Sequence, residues 1–338
     1  MKILAAYGPL AASSIASIRA AGPSIELTYE PGRNMAAATS LLTDDTEVAF
    51  MNGLPLSLPT SGRLRWVQIA SAGVDTYKQS PAWSDPGILI TTASGIASNS
   101  IAEYALGMML IRGHRLERAM AVKAARAWPD GDDGYKPLAA QVLHGQTLGV
   151  VGFGGVGRRL AWFGRALGMQ VLAVRASGRP PRPSYRPADL EFAGEGTAGV
   201  TVSGPEGLND LLETSDFVVI ALPRTPSSIG MIGGDELARM KRTSHLVNAA
   251  RGGIVDEPAL AEALRNGRPA FASIDVTAIE PLAGDSPLYD LPNCQITPHI
   301  AGYFIGYEDA AAEVFAANLG RYVSGQPLLN LVDRAAGY

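Results

Sequence analysis

The 338-residue sequence predicts an α/β protein built on two parallel, helix-covered sheets. Three observations carry that expectation. Through the first hundred residues short apolar runs alternate with helical or turn segments (KILAAY, SIELTY, EVAFMN, LRWVQIA, GILITTA), the rhythm of strands joined by crossovers. A second and stronger series of the same kind begins at Gln146 and continues to about Thr297. The chain also exceeds what one hydrophobic core usually fills, and an apolar content of 47% suffices for two.

Taken in order, Ile3–Tyr7 reads as the first strand, stopped by Gly8 and Pro9 and followed by the helix-like SSIASIRAAG. A strand here displaces a signal peptide, which the lysine and small apolar residues of MKILAAYGPLAA imitate. Near Asn99 the pattern becomes one long helix, SNSIAEYALGMMLIRGHRLERAM, with Ser98 or Asn99 as N-cap and a length suited to bridging two domains. A loop with Trp128 and a DGDDG turn follows, and Glu308–Arg321 reads as a last helix. No apolar run approaches the roughly 18 residues that span a bilayer, and the longest, IAEYALGMMLI, is interrupted by Glu103. A formal charge of −4 with scattered signs leaves no footprint for nucleic acid or an anionic membrane, so the expected partners are small molecules. The single cysteine, Cys294, excludes an internal disulfide, fits a reducing cytoplasm and is expected to be buried. No metal is expected.

The run TLGVVG leads into Gly152-Phe153-Gly154-Gly155-Val156-Gly157, and the helical RRLAWFGRAL follows. This is GxGxxG after a strand and opening a helix, the context that marks a dinucleotide site. Gly152 permits the tight turn, Gly154 admits a pyrophosphate to the backbone, and Gly157 lets helix and strand pack closely. The next strand, MQVLAV, should end at the residue that reads the adenosine ribose. A carboxylate there selects NAD. The position holds Arg175, with Ser177 and Arg179 beyond it, and a guanidinium matches a 2′-phosphate, so NADP (NADPH) is the expected cofactor and NAD the second choice. The Pro-, Gly- and Arg-rich stretch between Ala176 and Pro205 is longer than the usual connection and reads as a mobile insertion, the alternative being an ordered flap over the adenosine end.

Four further strand-like runs end in polar or glycine-rich turns: DFVVIALPRTP, HLVNAARGG, FASIDVTAIEP and CQITPHIAG. Ligands of open α/β sheets sit at the carboxyl ends of strands, which brings Arg251, Asp275, Glu280 and His299 towards one crevice. Reduction of a keto acid needs that set. Arginine holds the carboxylate in bidentate fashion and polarises the carbonyl, histidine donates a proton to the nascent alkoxide, and a neighbouring glutamate keeps the imidazole charged. His114, His144 and His245 lack this setting and read as structural.

From about Val67 onward the chain resembles the D-isomer specific 2-hydroxyacid dehydrogenase family. The resemblance rests on SAGVD, SIAEYAL, HGQTLGVVGFGGVGRRLA, ALPRTPSSIGMIG, LVNAARGGIVDEPALAEALRNG, DVTAIEPLAGDSPLYDLPNCQITPHIAG and GQPLLNLVD. It implies a Rossmann nucleotide-binding domain and a smaller flavodoxin-like substrate domain, both doubly wound. The substrate domain would comprise residues 1–98 plus 305–338, with 99–304 inserted as the nucleotide domain. The resemblance puts the catalytic trio on Arg251, Glu280 and His299, and sets Asp275 against the nicotinamide amide. It also implies cofactor contacts from Leu222, Pro223, Thr225, Ala249 and Ala250, backbone groups of Ala72, Gly73 and Val74 on the substrate carboxylate, and a homodimer joined mainly through the nucleotide domains. Arginine in place of aspartate at Arg175 resembles the NADPH-dependent glyoxylate and hydroxypyruvate reductases. Arg224, where the family commonly carries leucine, leaves open which arginine meets the phosphate. A phosphite-type dehydrogenase and a cofactor-sensing, corepressor-like binding protein are the alternative readings on this scaffold; glutamate at 280 argues against a formate dehydrogenase.

Overall fold

Alternation at a period of two shapes the first sheet. Strands β1 (Lys2–Ala6), β2 (Glu26–Tyr29), β3 (Thr46–Met51), β4 (Trp66–Ile69) and β5 (Leu89–Thr91) pair in parallel in the order β2-β1-β3-β4-β5, the flavodoxin-like arrangement. Along β1, Ile3 and Ala5 enter one apolar cluster and Leu4 and Ala6 another, so both faces of the sheet are buried, as in parallel sheets covered by helices. The coordinates, a computed structural model, describe residues 1–60, 62–176, 184–185 and 198–338. They divide into two units: Met1–Ala97 with Phe304–Tyr338 and the pair Ser184 and Tyr185, and Ser98–Ala176 with the described residues from 198 to Tyr303.

In the first unit, helices α1 (Ala12–Ala20), α2 (Met35–Ser40) and α3 (Pro81–Ser84) lie between the strands. The Asn34 side chain caps α2 by accepting from Ala37 N at 3.0 Å. The C-terminal helix, Tyr307–Val323, belongs to this unit: the Phe315 ring stacks on Phe50 at 4.8 Å and tilts against Trp66 at 5.3 Å. Its buried Asn318 donates to Gln68 Oε1 at 2.9 Å and accepts from Leu329 N at 2.7 Å, so the helix's own polar group is satisfied inside the core.

The single long helix expected from Asn99 is two helices, α4 (Ser98–Gly113) and α5 (Leu116–Ala124). Arg115 takes a left-handed backbone, φ 55°, and the Gly113 carbonyl accepts from Gln141 N at 2.7 Å, so the helical ladder ends there. Neither expected N-cap is used as one. Ser98 is already helical, and Asn99 accepts from Arg159 Nε at 2.7 Å. The DGDDG segment, expected as a turn, forms the short α6 (Gly131–Tyr135).

Seven parallel strands then follow: β6 (Thr147–Val151), β7 (Gln170–Val174), β8 (Val200–Ser203), β9 (Phe217–Ile220), β10 (His245–Asn248), β11 (Phe271–Ile274) and β12 (Cys294–Ile296). Their order, β12-β11-β10-β9-β6-β7-β8, reverses direction at β6 and is a Rossmann sheet with one added edge strand. Helices α7 (Gly155–Ala166), α8 (Leu208–Thr214), α9 (Gly234–Arg239) and α10 (Glu257–Arg265) connect them. Strand β8 lies inside the stretch read from the sequence as insertion. Its pairing is what draws it out, Val171–Val174 meeting Val200–Ser203 in register. Among the described residues no helix is long and apolar enough to cross a membrane.

Candidate active site

The glycine loop occupies the turn from β6 into α7, where the chain order of the sheet reverses. Gly152 has φ 109°, and a methyl group there would collide with the Ala221 carbonyl. A methyl on Gly157 would strike the Gly152 carbonyl, so side-chain-free residues are required for the helix to start this close to the strand. At Gly154 the space is open, with nothing within 4 Å of where a Cβ would stand. Gly155 and Val156 form the first turn of α7, which has neither a capping side chain nor an acidic residue. An open backbone cradle facing twelve residues of aligned helix dipole, uncompensated at its positive end, fits a pyrophosphate.

Arg175 follows β7 directly. Its side chain is exposed and has no hydrogen-bond or ion-pair partner among the described residues. Ser177 and Arg179 lie outside the described residues, as does most of the stretch expected to be mobile. The Arg224 guanidinium packs elsewhere, with Nε and Nη2 3.6 Å from the place a Cβ would take on Gly253. Gly253 belongs to the loop after β10, and β10 stands three positions from β7 in the sheet. Leu222 and Pro223 leave β9, and buried Thr225 is fixed by its N–H to Ser228 Oγ at 2.8 Å. Ala249, buried, and Ala250, whose N–H reaches Asn248 Oδ1 at 3.2 Å, leave β10.

Three adjoining loops hold the chemical groups. Arg251 follows β10; its Nη1 donates to the Ala250 carbonyl at 2.8 Å, and its own carbonyl accepts from Asn248 Nδ2 at 3.2 Å. The next residue, Gly252, lies so close to the Thr277 carbonyl that a Cβ would collide with it, which locks the loop after β10 onto the loop after β11. Thr277 N in turn donates to Glu280 Oε1 at 3.1 Å, and Glu280 Oε2 lies 2.8 Å from His299 Nδ1. Sequence-distant residues thus form a continuous run from Arg251 through Thr277 and Glu280 to His299. The His299 and Glu280 side chains are 47% and 39% exposed, so the pair is open to a ligand.

His299 is one of the few non-glycine residues with a left-handed backbone, φ 54°. Asp275, at 2% exposure, holds the segment that carries it. Its carbonyl accepts from His299 N at 2.8 Å, Oδ1 from Ile300 N at 2.9 Å and Oδ2 from Ala301 N at 2.9 Å. Thr297 Oγ1 donates to the same Oδ1 at 2.6 Å. A contact from Asp275 to a carboxamide would be additional to these bonds. Thr297 and Tyr104, whose hydroxyl is 2.6 Å from Thr297 Oγ1, carry no sequence signal of a place beside this site.

A cavity of about 740 Å³ opens beside the pair, lined by Glu280, His299, Leu282, Tyr289, Ile296 and Cys294 among others. Cys294 is half-buried in its wall rather than fully enclosed, because β12 is the sheet edge, and burial pushes its thiol up to about 12. In the first unit, Ala72, Gly73 and Val74 follow β4, and among the described residues none of their N–H groups has an acceptor. Ser71 Oγ donates to the Gly73 carbonyl at 3.1 Å and fixes the turn.

A Rossmann sheet with its glycine cradle and an imidazole–carboxylate pair at neighbouring strand ends defines a dinucleotide-dependent oxidoreductase. Residues 106–301 match the family described as D-isomer specific 2-hydroxyacid dehydrogenase, NAD binding domain. Glyoxylate reductase of Korarchaeum cryptofilum is 32% identical over 314 residues, 93% of this chain and 87% of that one. Glycerate dehydrogenase of Methylorubrum extorquens is 31% identical, covering 83% and 84%. A D-isomer specific 2-hydroxyacid dehydrogenase from Xanthobacter autotrophicus Py2, solved in complex with NADPH and MES, superimposes with a TM-score of 0.75 at 25% identity over 99% of each chain. The chain belongs to the D-isomer specific 2-hydroxyacid dehydrogenase family. It is an oxidoreductase that interconverts 2-keto and 2-hydroxy acids with a nicotinamide cofactor.

Proposed function

We propose that the protein reduces small 2-keto acids of the glyoxylate and hydroxypyruvate type to D-2-hydroxy acids, with NADPH as donor and His299 as general acid. The observation that carries this reading is the 2.8 Å contact of His299 Nδ1 with Glu280 Oε2, at strand ends beside the Arg251 loop. A carboxylate on Nδ1 accepts that nitrogen's proton and leaves Nε2 to face substrate. Nε2 then gives its proton to the carbonyl oxygen as negative charge develops there, and Glu280 stabilises the imidazolium before transfer. Arg251 holds the substrate carboxylate and polarises the carbonyl; by the family resemblance, backbone groups of Ala72, Gly73 and Val74 also serve in substrate binding. When bound, NADPH supplies the hydride to the carbonyl carbon.

The cofactor's phosphates would rest on the backbone of Gly152–Gly157, its 2′-phosphate on Arg175, and its remaining contacts on Leu222, Pro223, Thr225, Ala249 and Ala250. The similar Xanthobacter chain with NADPH, and the absence of a carboxylate at Arg175, support NADP over NAD. In this reading the first unit is the substrate-binding domain and the second the nucleotide-binding domain. A homodimer joined through the second units follows from the family resemblance, and a cytoplasmic setting from the single cysteine.

The test is loss of NADPH absorbance with glyoxylate, hydroxypyruvate, pyruvate and phenylpyruvate, for the wild type and His299→Ala. Turnover of at least one acid is expected, and a rate lower by about 10² to 10⁴ in the variant. NADPH binding without turnover of any keto acid would point instead to a cofactor sensor, and wild-type kinetics in His299→Ala would remove that residue from the mechanism.

A further inference from the structure

Within the second unit, one face of α4 lies along the segment that carries His299. Ser100 and Tyr104 are four apart, hence on the same side of the helix. Ser100 Oγ donates to the Ala301 carbonyl at 2.7 Å, and the Tyr104 hydroxyl meets Thr297 Oγ1 at 2.6 Å. The helix therefore grips the chain two residues before His299 and two residues after it. Thr297 has one hydroxyl proton, and it goes to Asp275 Oδ1, so the proton in the Tyr104–Thr297 bond is the tyrosine's. The result is a directed chain, Tyr104 to Thr297 to Asp275, ending on the carboxylate that collects Ile300 N and Ala301 N.

We propose that Tyr104 is a positioning residue for His299, fixing the imidazole through Thr297 and Asp275 without touching substrate or cofactor. The proposal rests on the reading of His299 as the general acid. Three features make the support necessary. The His299 ring is half-exposed and, among the described residues, Glu280 is its side-chain hydrogen-bond partner, so packing does little to hold it. Its backbone is left-handed, a conformation that relaxes unless its surroundings over-determine it. The three consecutive N–H groups that enforce that conformation all end on Asp275, whose orientation is set by the hydroxyl chain from α4. Burial pushes the Tyr104 phenol up to about 12, so it stays a donor throughout the working range.

Removing the phenol oxygen leaves Thr297 without its donor and lets the segment shift by fractions of an ångström. A shift of that order in a group that transfers a proton in the transition state lowers kcat and spares ground-state binding. For Tyr104→Phe in the full-length protein the expected result is a kcat lower by about 10- to 100-fold, with KM for the keto acid and the dissociation constant for NADPH within about twofold of wild type. Thr297→Val should behave alike, and Thr297→Ser, which keeps the hydroxyl, should recover most of the rate.

Two measurements separate this proposal from the assignment of the acid. In a His299→Ala background, Tyr104→Phe should add no further loss, because both changes act on one group. An equal loss in both backgrounds would show that Tyr104 supports the fold in general and overturn the proposal. Independently of turnover, the ¹⁵N resonances of the His299 ring should change in Tyr104→Phe, reporting an altered Nδ1–Glu280 bond. An unchanged His299 spectrum would overturn the positioning role even if His299 proves to be the acid. A changed spectrum with unaltered His299→Ala kinetics would leave the positioning intact and remove only the acid assignment.

Discussion

At the scale of single residues, side chains that act through charge at a strand end were the most legible. Arg251, Glu280 and His299 follow apolar runs of a recognisable length, and the carboxyl-end rule of open sheets predicts their neighbourhood without a structure. Asp275 fell under the same rule, yet its surroundings show a second duty that no pattern announces, because the three N–H groups it collects depend on how residues 299–301 turn. Tyr104 was invisible for a related reason: it is 193 positions from Thr297, and a tyrosine on a mostly apolar helix reads as core. Arg175 carries the prediction at this scale. It stands exposed at the end of β7 with no carboxylate beside it in sequence. Two charge-assisted contacts of about 1.5 to 3 kcal/mol each would favour NADPH over NADH by roughly a hundredfold or more. Arg175→Asp should reduce that preference, measured as the ratio of kcat/KM for the two cofactors; equal use of both by the unaltered protein would contradict the assignment.

At the scale of elements, strands held to their expected places because a parallel strand buried on both faces must be a short apolar run. Helix ends did not. The break between α4 and α5 depends on a bond from Gln141 N to the Gly113 carbonyl, between positions 28 apart, while propensity alone favoured continuing the helix. Strand β8 was hidden because only its partner β7 distinguishes it from the polar stretch that precedes it. Strand β10 supplies a test of element stability. Burial, and then the Arg112 cation, hold the His245 imidazole at about 3 against an ordinary value of 6.5. Between those values the unfolded chain takes up a proton that the folded chain refuses, so this contribution is intact above 6.5 and is lost as pH falls towards 3. From pH 7 to pH 5 the wild type should lose about 2 kcal/mol more stability than His245→Gln, read from urea midpoints. Equal losses in the two proteins would show that the ring is charged in the folded state.

At the scale of the whole molecule, the N-terminal sheet is completed by the end of the chain. Phe315 stacks against Phe50 and Trp66, and Asn318 binds Gln68, so the last helix is core to a unit whose strands lie within the first 91 residues. Phe315→Ala should destabilise that unit by about 3 to 5 kcal/mol while NADPH binding to the other unit persists. A single unfolding transition lost together with NADPH affinity would show that the two units fold as one. The sequence by itself determined the class of architecture, the glycine cradle and the three groups at strand ends, because strand period, turn chemistry and the carboxyl-end rule act over a few residues at a time. Only the tertiary structure decided where α4 stops, that the last helix serves the first sheet, and which hydroxyl stands behind His299. Each of those outcomes depends on a hydrogen bond or a ring contact between groups far apart in the chain, and such a contact exists only once the sheets have brought its partners together.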